Sequence, residues 1–226
     1  MRKSFSFLTG AAMSRRAFVA MSGMAVLNGG LLAGLKQAKA AEAVGSVVDS
    51  RGQVLRRQND VDKMLQPGAT LENNDFIITG EDGFAELALG QDTRILMGSE
   101  TEILIDSFLA EQGGTLELVS GQMVFDRPEG LPKIDLTLRT TFGQIGVRGT
   151  KFFCGMSRGN YAVFVEHGLV DVQAGGVSRK VAAGEGVDIA HDSKTRSMFG
   201  GEISPIKKWG KGRIAEAYRS IGIKVD

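Results

Sequence analysis

From Ala43 to Ile189 one short pattern recurs. Four to eight residues alternate between apolar and polar, a glycine and a polar turn follow, and the alternation resumes. Successive side chains of a strand point to opposite faces, so each run offers one face to a core and one to water. Phe84 to Leu89 places Ala85, Leu87 and Leu89 on one face, with Phe84 and Glu86 on the other. Ile134 to Thr140 shows the cleanest alternation, and Tyr161–Val165, Leu169–Val172, Val177–Val181 and Gly186–Ile189 continue the series. Turn signals about every 8 to 12 residues are the rhythm of all-β sandwiches and barrels. The expected fold is therefore all-β, many short strands in a sandwich or roll. Val44, Val47 and Val54 around Gly52 predict an opening hairpin, and Arg56 to Gly68 a surface loop ending in a Pro-Gly turn.

A helical period appears only after Ser204, where Ile206, Trp209, Ile214, Ala217, Tyr218 and Ile221 fall among basic residues. They predict a short amphipathic helix or two turns, weakened by Gly210 and Gly212. Such a tail packs Trp209 on the β core or presents a helix to a partner.

Thr140 to Phe153 is the most unusual stretch. Three glycines, one arginine and a threonine lie between apolar flanks, so the backbone must turn tightly while both flanks stay in a sheet. Gly146 and Gly149 bracket Val147 and Arg148. The expected role of Arg148 is a corner clamp, its fork of donors tying down backbone carbonyls or a carboxylate, with a ligand contact as the alternative. A phosphate loop is excluded, because no Lys follows the last glycine and no helix stands behind it.

Residues 1–40 read as an export signal. A basic start leads through Ser14-Arg15-Arg16-Ala17-Phe18-Val19 into a modestly apolar span and then to Ala38-Lys39-Ala40, a small-x-small cleavage site. The paired arginines resemble a twin-arginine translocation signal, with Val19 and Ala20 where Leu and Lys are usual. Met13 is an alternative start. Ser22, Gly23, Asn28, Gly29 and Gly30 make the span a poor anchor against the ~20 apolar residues of a membrane helix. The expected product begins at Ala41 in the periplasm, with a β domain over 41–190 and a tail over 191–226. Six of the 27 bases and none of the 26 acids precede Ala41, so the mature chain carries a net charge of −5. That sign argues against non-specific nucleic-acid binding.

Candidate reactive groups are few. The chain has two histidines and one cysteine, which match no metal-site spacing and allow no internal disulfide. Cys154, in the alternating run after Phe153, reads as a small buried apolar residue. His167 reads as an exposed residue of a hairpin turn. His191 stands beside Asp192 and Ser193, but adjacency in sequence does not make a triad. No cofactor and no enzymatic activity are expected.

Several patterns fall in one order: Asp75-Phe76-Ile77-Ile78-Thr79-Gly80, Gly83-Phe84-Ala85-Glu86-Leu87, Gly121-Gln122-Met123-Val124, Val147-Arg148-Gly149-Thr150-Lys151-Phe152 and Glu166-His167-Gly168-Leu169-Val170. Together they resemble the FecR domain, the periplasmic part of regulators of the ferric-citrate type, over about Val44 to Ile189. The resemblance singles out Gly146, Val147, Arg148, Gly149, Thr150, Phe152, Glu166 and Gly168 as structural or partner-binding residues. It implies a free-standing exported domain, whose first functional reading is a binding module for an envelope protein or cell-wall glycan. A periplasmic sensing component with a separate membrane partner is the second reading, and a hydrolase of envelope polymers the third.

Overall fold

The computed structural model describes residues 43–190 and 201–223. The proposed export signal and His191 lie outside those residues. In chain order the strands are β1 (Ala43–Arg51), β2 (Val54–Gln58), β3 (Val61–Met64), β4 (Thr70–Glu72), β5 (Asp75–Thr79) and β6 (Phe84–Leu89). There follow β7 (Thr93–Met97), β8 (Glu102–Leu109), β9 (Gly113–Ser120), β10 (Met123–Asp126), β11 (Asp135–Thr140) and β12 (Gly143–Val147). The last are β13 (Lys151–Ser157), β14 (Asn160–His167), β15 (Leu169–Ala174), β16 (Val177–Ala182), β17 (Glu185–Ile189) and β18 (Lys207–Lys208), before the helix α1 (Lys211–Ser220).

The strands form two nine-stranded sheets, as the alternation requires. The first runs β18-β17-β14-β13-β10-β7-β6-β1-β4 and the second β16-β15-β12-β11-β9-β8-β5-β2-β3. The chain crosses from one sheet to the other after every one or two strands, so neighbours in space are close in sequence. All named pairings are antiparallel except β9 with β11, which run parallel. The inward set of each strand meets between the sheets: Val47, Leu87, Ile95, Phe125, Phe152 and Val163 from the first, Ile77, Ile103, Leu116, Leu138, Ile145 and Val172 from the second.

Two details differ from the sequence reading. β1 and β2 do not pair, because Gly52, at φ +63°, is a corner between sheets, not a hairpin turn. A Cβ there would lie 2.4 Å from the Asp82 carbonyl oxygen. Both Val47 and Val54 are buried, and one flat ribbon could not point both into the space between sheets as this corner does. The expected surface loop holds the β2–β3 hairpin, with Asn59 and Asp60 both at positive φ, the geometry of a tight turn between twisted strands. β3 buries nothing, so no apolar alternation marks it in the sequence.

The tail closes on the body. β18 extends the first sheet, and α1 covers its outer face, where Trp209, Ala217, Tyr218 and Ile221 pack on Phe84, Val124, Phe153, Ala162 and Phe164. The part of the first sheet beneath Trp209 and α1 is therefore buried on both faces, which explains the unbroken apolar runs of β10, β13 and β14. Trp209 stacks on Phe164 with centroids 4.9 Å apart. Arg158 grips Glu216 through two hydrogen bonds of 2.9 and 3.0 Å, and Arg213 binds Asp188. Among the described residues no helix is long and apolar enough to cross a membrane.

Candidate binding site

The glycine-rich stretch forms β12 and the corner after it. Inside β12, Ile145 and Val147 point into the core, while Gln144 and Gly146 belong to the outer face of the second sheet. Register aligns Thr137, Gly146, Asp171 and Lys180 across four strands, and Arg139, Gln144, Gln173 and Ser178 in the next row. Gly146 leaves a bare spot in the first row, since a Cβ built there would meet nothing nearer than 3.8 Å. The result is a furrow of about 320 Å³ whose lining includes Asp135, Arg148, Asp171, Gln173 and Lys180. Gln173 also lines a second hollow of about 320 Å³ at the Gly175-Gly176 turn, with Gln144, Val177 and Ser178, so the two form one trough.

Arg148 is exposed at the end of this trough, and among the described residues it makes no hydrogen bond or ion pair. The expected clamp is therefore absent. Its position at the close of an outward-facing row carries the guanidinium away from the corner's carbonyls. The clamp is Arg127 instead, almost wholly buried, whose fork donates to the Pro132 carbonyl at 3.0 and 3.3 Å and to Thr93 Oγ1 at 3.2 Å. Its backbone N–H donates to the Thr150 carbonyl at 3.0 Å. Its place two residues after the buried run Met123-Val124-Phe125 is the one sequence signal that marks it.

The two halves of the motif meet at this corner. Gly149, at φ +68°, turns the chain out of the second sheet, and buried Thr150 leads into β13. Gly168, at φ +84°, lies directly against Thr150, leaving 2.6 Å between its virtual Cβ and Thr150 Cγ2. Phe152 is core and stacks on Phe125 at 5.4 Å. Glu166 accepts a hydrogen bond from the Tyr218 hydroxyl and faces Lys151 Nζ at 3.5 Å, while the same ammonium lies 3.3 Å from Asp126. Of the eight motif residues, six thus build the corner or its ion pairs. Gly146 and Arg148 are left on the outer face of the second sheet.

His167 is half-buried, not exposed as its turn position implied, and lies 3.9 Å from Asp126 and 3.7 Å from Glu129. Among the described residues it shares no hydrogen bond with a serine, threonine or cysteine, and no group of three His, Cys, Asp or Glu is placed to hold a metal ion. Burial pushes the Cys154 thiol up to about 12, which leaves it protonated and inert at neutral pH. Burial likewise raises Tyr161, and burial with the Glu166 contact raises Tyr218. The arrangement offers polar recognition, with amides, a free guanidinium, a free ammonium and two carboxylates around a bare glycine.

The sequence profile of the FecR protein family matches residues 75–171. No curated protein matches the chain. Two crystal structures of a candidate anti-sigma factor from Parabacteroides distasonis, at 1.65 and 2.50 Å resolution, align with a TM-score of 0.47 and 17% identity. The alignment covers 59% of this chain and 59% of that one. The match to the FecR protein family thus spans residues 75–171, the stretch that contains both halves of the corner motif and most of the trough.

Proposed function

We propose that the protein is an exported, non-catalytic FecR-domain binding module that engages an envelope protein in the periplasm through the trough on its second sheet. The observation that carries this reading is Arg148: within a motif otherwise consumed by the corner, it stands free beside the bare Gly146. A buried corner holding an unpaired guanidinium at the edge of a polar groove is a rigid mount for recognition, and arginine is over-represented among residues that dominate protein interfaces. The export step rests on the basic start, the paired arginines and the Ala38-Lys39-Ala40 site, with cleavage before Ala41. A sensing role with a separate membrane partner is the same binding event placed in a signalling chain.

A photo-reactive amino acid at Gln144 in the trough, and another at Lys63 on the far edge strand, tests the site in living cells. The expected result is a discrete protein adduct from Gln144 that disappears in Arg148→Glu and does not form from Lys63. Equal adducts from both positions, or an Arg148→Glu protein that cross-links as wild type, would refute it.

A further inference from the structure

The body and the C-terminal segment carry opposite charge. Residues 43–190 hold 21 acids against 13 bases, whereas residues 201–223 hold five bases against two acids. Within that segment Lys207, Lys208 and Lys211 are all exposed, and none makes an ion pair among the described residues. The neighbouring arginines are engaged. Arg158 is held by Glu216, and Arg213 lies over the Trp209 ring at 3.8 Å while binding Asp188. Glu185, opposite Lys208 in the register, accepts the Ala182 amide at 3.2 Å. A hollow of about 340 Å³ opens among Arg158, Lys207, Lys208, Trp209 and Arg213, and its lining contains no acid.

Lysines on an outermost strand guard a sheet edge against pairing with another chain. That role accounts for Lys207 and Lys208. It leaves unexplained Lys211, which lies beyond the strand, and Ile206, which is 37% exposed beside them. An apolar side chain among free ammonium groups suits the headgroup boundary of a bilayer, where methylenes sink and the charges meet phosphate. Gly210 and Gly212 add no side chain that would hold such a surface away. An acidic protein groove would be matched better by free arginine forks, and here the arginines are spent internally. Lysine is a flexible point charge that suits a fluid array of headgroups.

We propose that Ile206 to Lys211 is a contact site for anionic phospholipid headgroups of a bilayer. The acidic body is repelled by the same surface, so the molecule settles with its Trp209 edge toward the membrane. This goes beyond the trough reading and uses a different surface.

Flotation of the purified mature protein with phosphatidylcholine vesicles, with and without phosphatidylglycerol, tests it. Binding is expected only with phosphatidylglycerol, and to weaken as salt rises. Replacing Lys207, Lys208 and Lys211 together by Glu is expected to lower partitioning by roughly 100-fold, from the contribution of each lysine near an anionic surface. The same three changed to Gln should lower it in the same direction. Melting curves confirm that both variants remain folded. A control with Lys63, Lys133 and Arg179 changed to Glu is expected to bind within a few-fold of wild type. The proposal is overturned by equal binding to neutral vesicles, by none to anionic ones, by equal loss in the control, or by capture of soluble polyphosphate without vesicle binding.

Discussion

Two glycines, Gly146 and Gly168, with β13 and β14 between them, separate structure from recognition. Gly168→Ala forces a side chain to φ +84° and to within 2.6 Å of Thr150 Cγ2 and 2.8 Å of the Gly149 carbonyl oxygen. The left-handed conformation alone costs about 1–2 kcal/mol, and the clash adds to it, so a large fall in melting temperature is expected. Gly146→Ala has open space and no positive φ, so its melt should match wild type while the new methyl fills the furrow. If the two variants melt alike, the division of the motif is wrong. The tyrosines make a second residue-scale case. The chain has two, Tyr161 and Tyr218, and both phenols are held above the ordinary value of 10.0. Their contribution to stability is fully present below that value and is lost as pH rises past it, because the unfolded chain ionises first. Phenolate absorbance should therefore appear together with unfolding. A separate titration of either tyrosine in the folded protein would contradict the burial.

At the scale of elements, α1 and Trp209 are part of the fold and not an appendage. Trp209→Ala should cost about 3–5 kcal/mol, as for a large buried aromatic, and truncation before Pro205 should expose the Phe84, Phe153 and Phe164 face and promote dye binding and aggregation. A truncated protein that stays monomeric with an unchanged melt would show the helix to be dispensable. Much of this was legible in the sequence. Period-two runs such as Ile134 to Thr140 and the apolar spacing around Ala217 and Tyr218 report burial directly, and burial is what sets strands and helix. What stayed hidden depends on where the chain goes next. The turn at Gly52 looks the same whether it closes a hairpin or changes sheets, and β3 has no buried residue to betray it. Arg127 and Arg148 both sit at strand ends near glycine or proline. Only the packing of Thr93, Pro132 and Thr150 decides which one is the clamp.

Residues 43–190 form a sandwich that advances in register with its own sequence, crossing sheets every strand or two, with one face capped by Trp209 and α1. With a single cysteine the chain can form no internal disulfide, and Cys154, with the thiol pushed up to about 12, should resist alkylation at neutral pH until the sandwich opens. Within the corner motif Arg148 is the charged group that the fold leaves unpaired among the described residues. The direct test is the affinity of the mature domain for its cross-linked partner, once identified, measured by calorimetry for wild type and Arg148→Ala. The account predicts binding at least about tenfold weaker for the variant, equivalent to about 1.4 kcal/mol, with a melting temperature unchanged. Equal affinity, or a variant that loses stability in proportion to its binding, would contradict it.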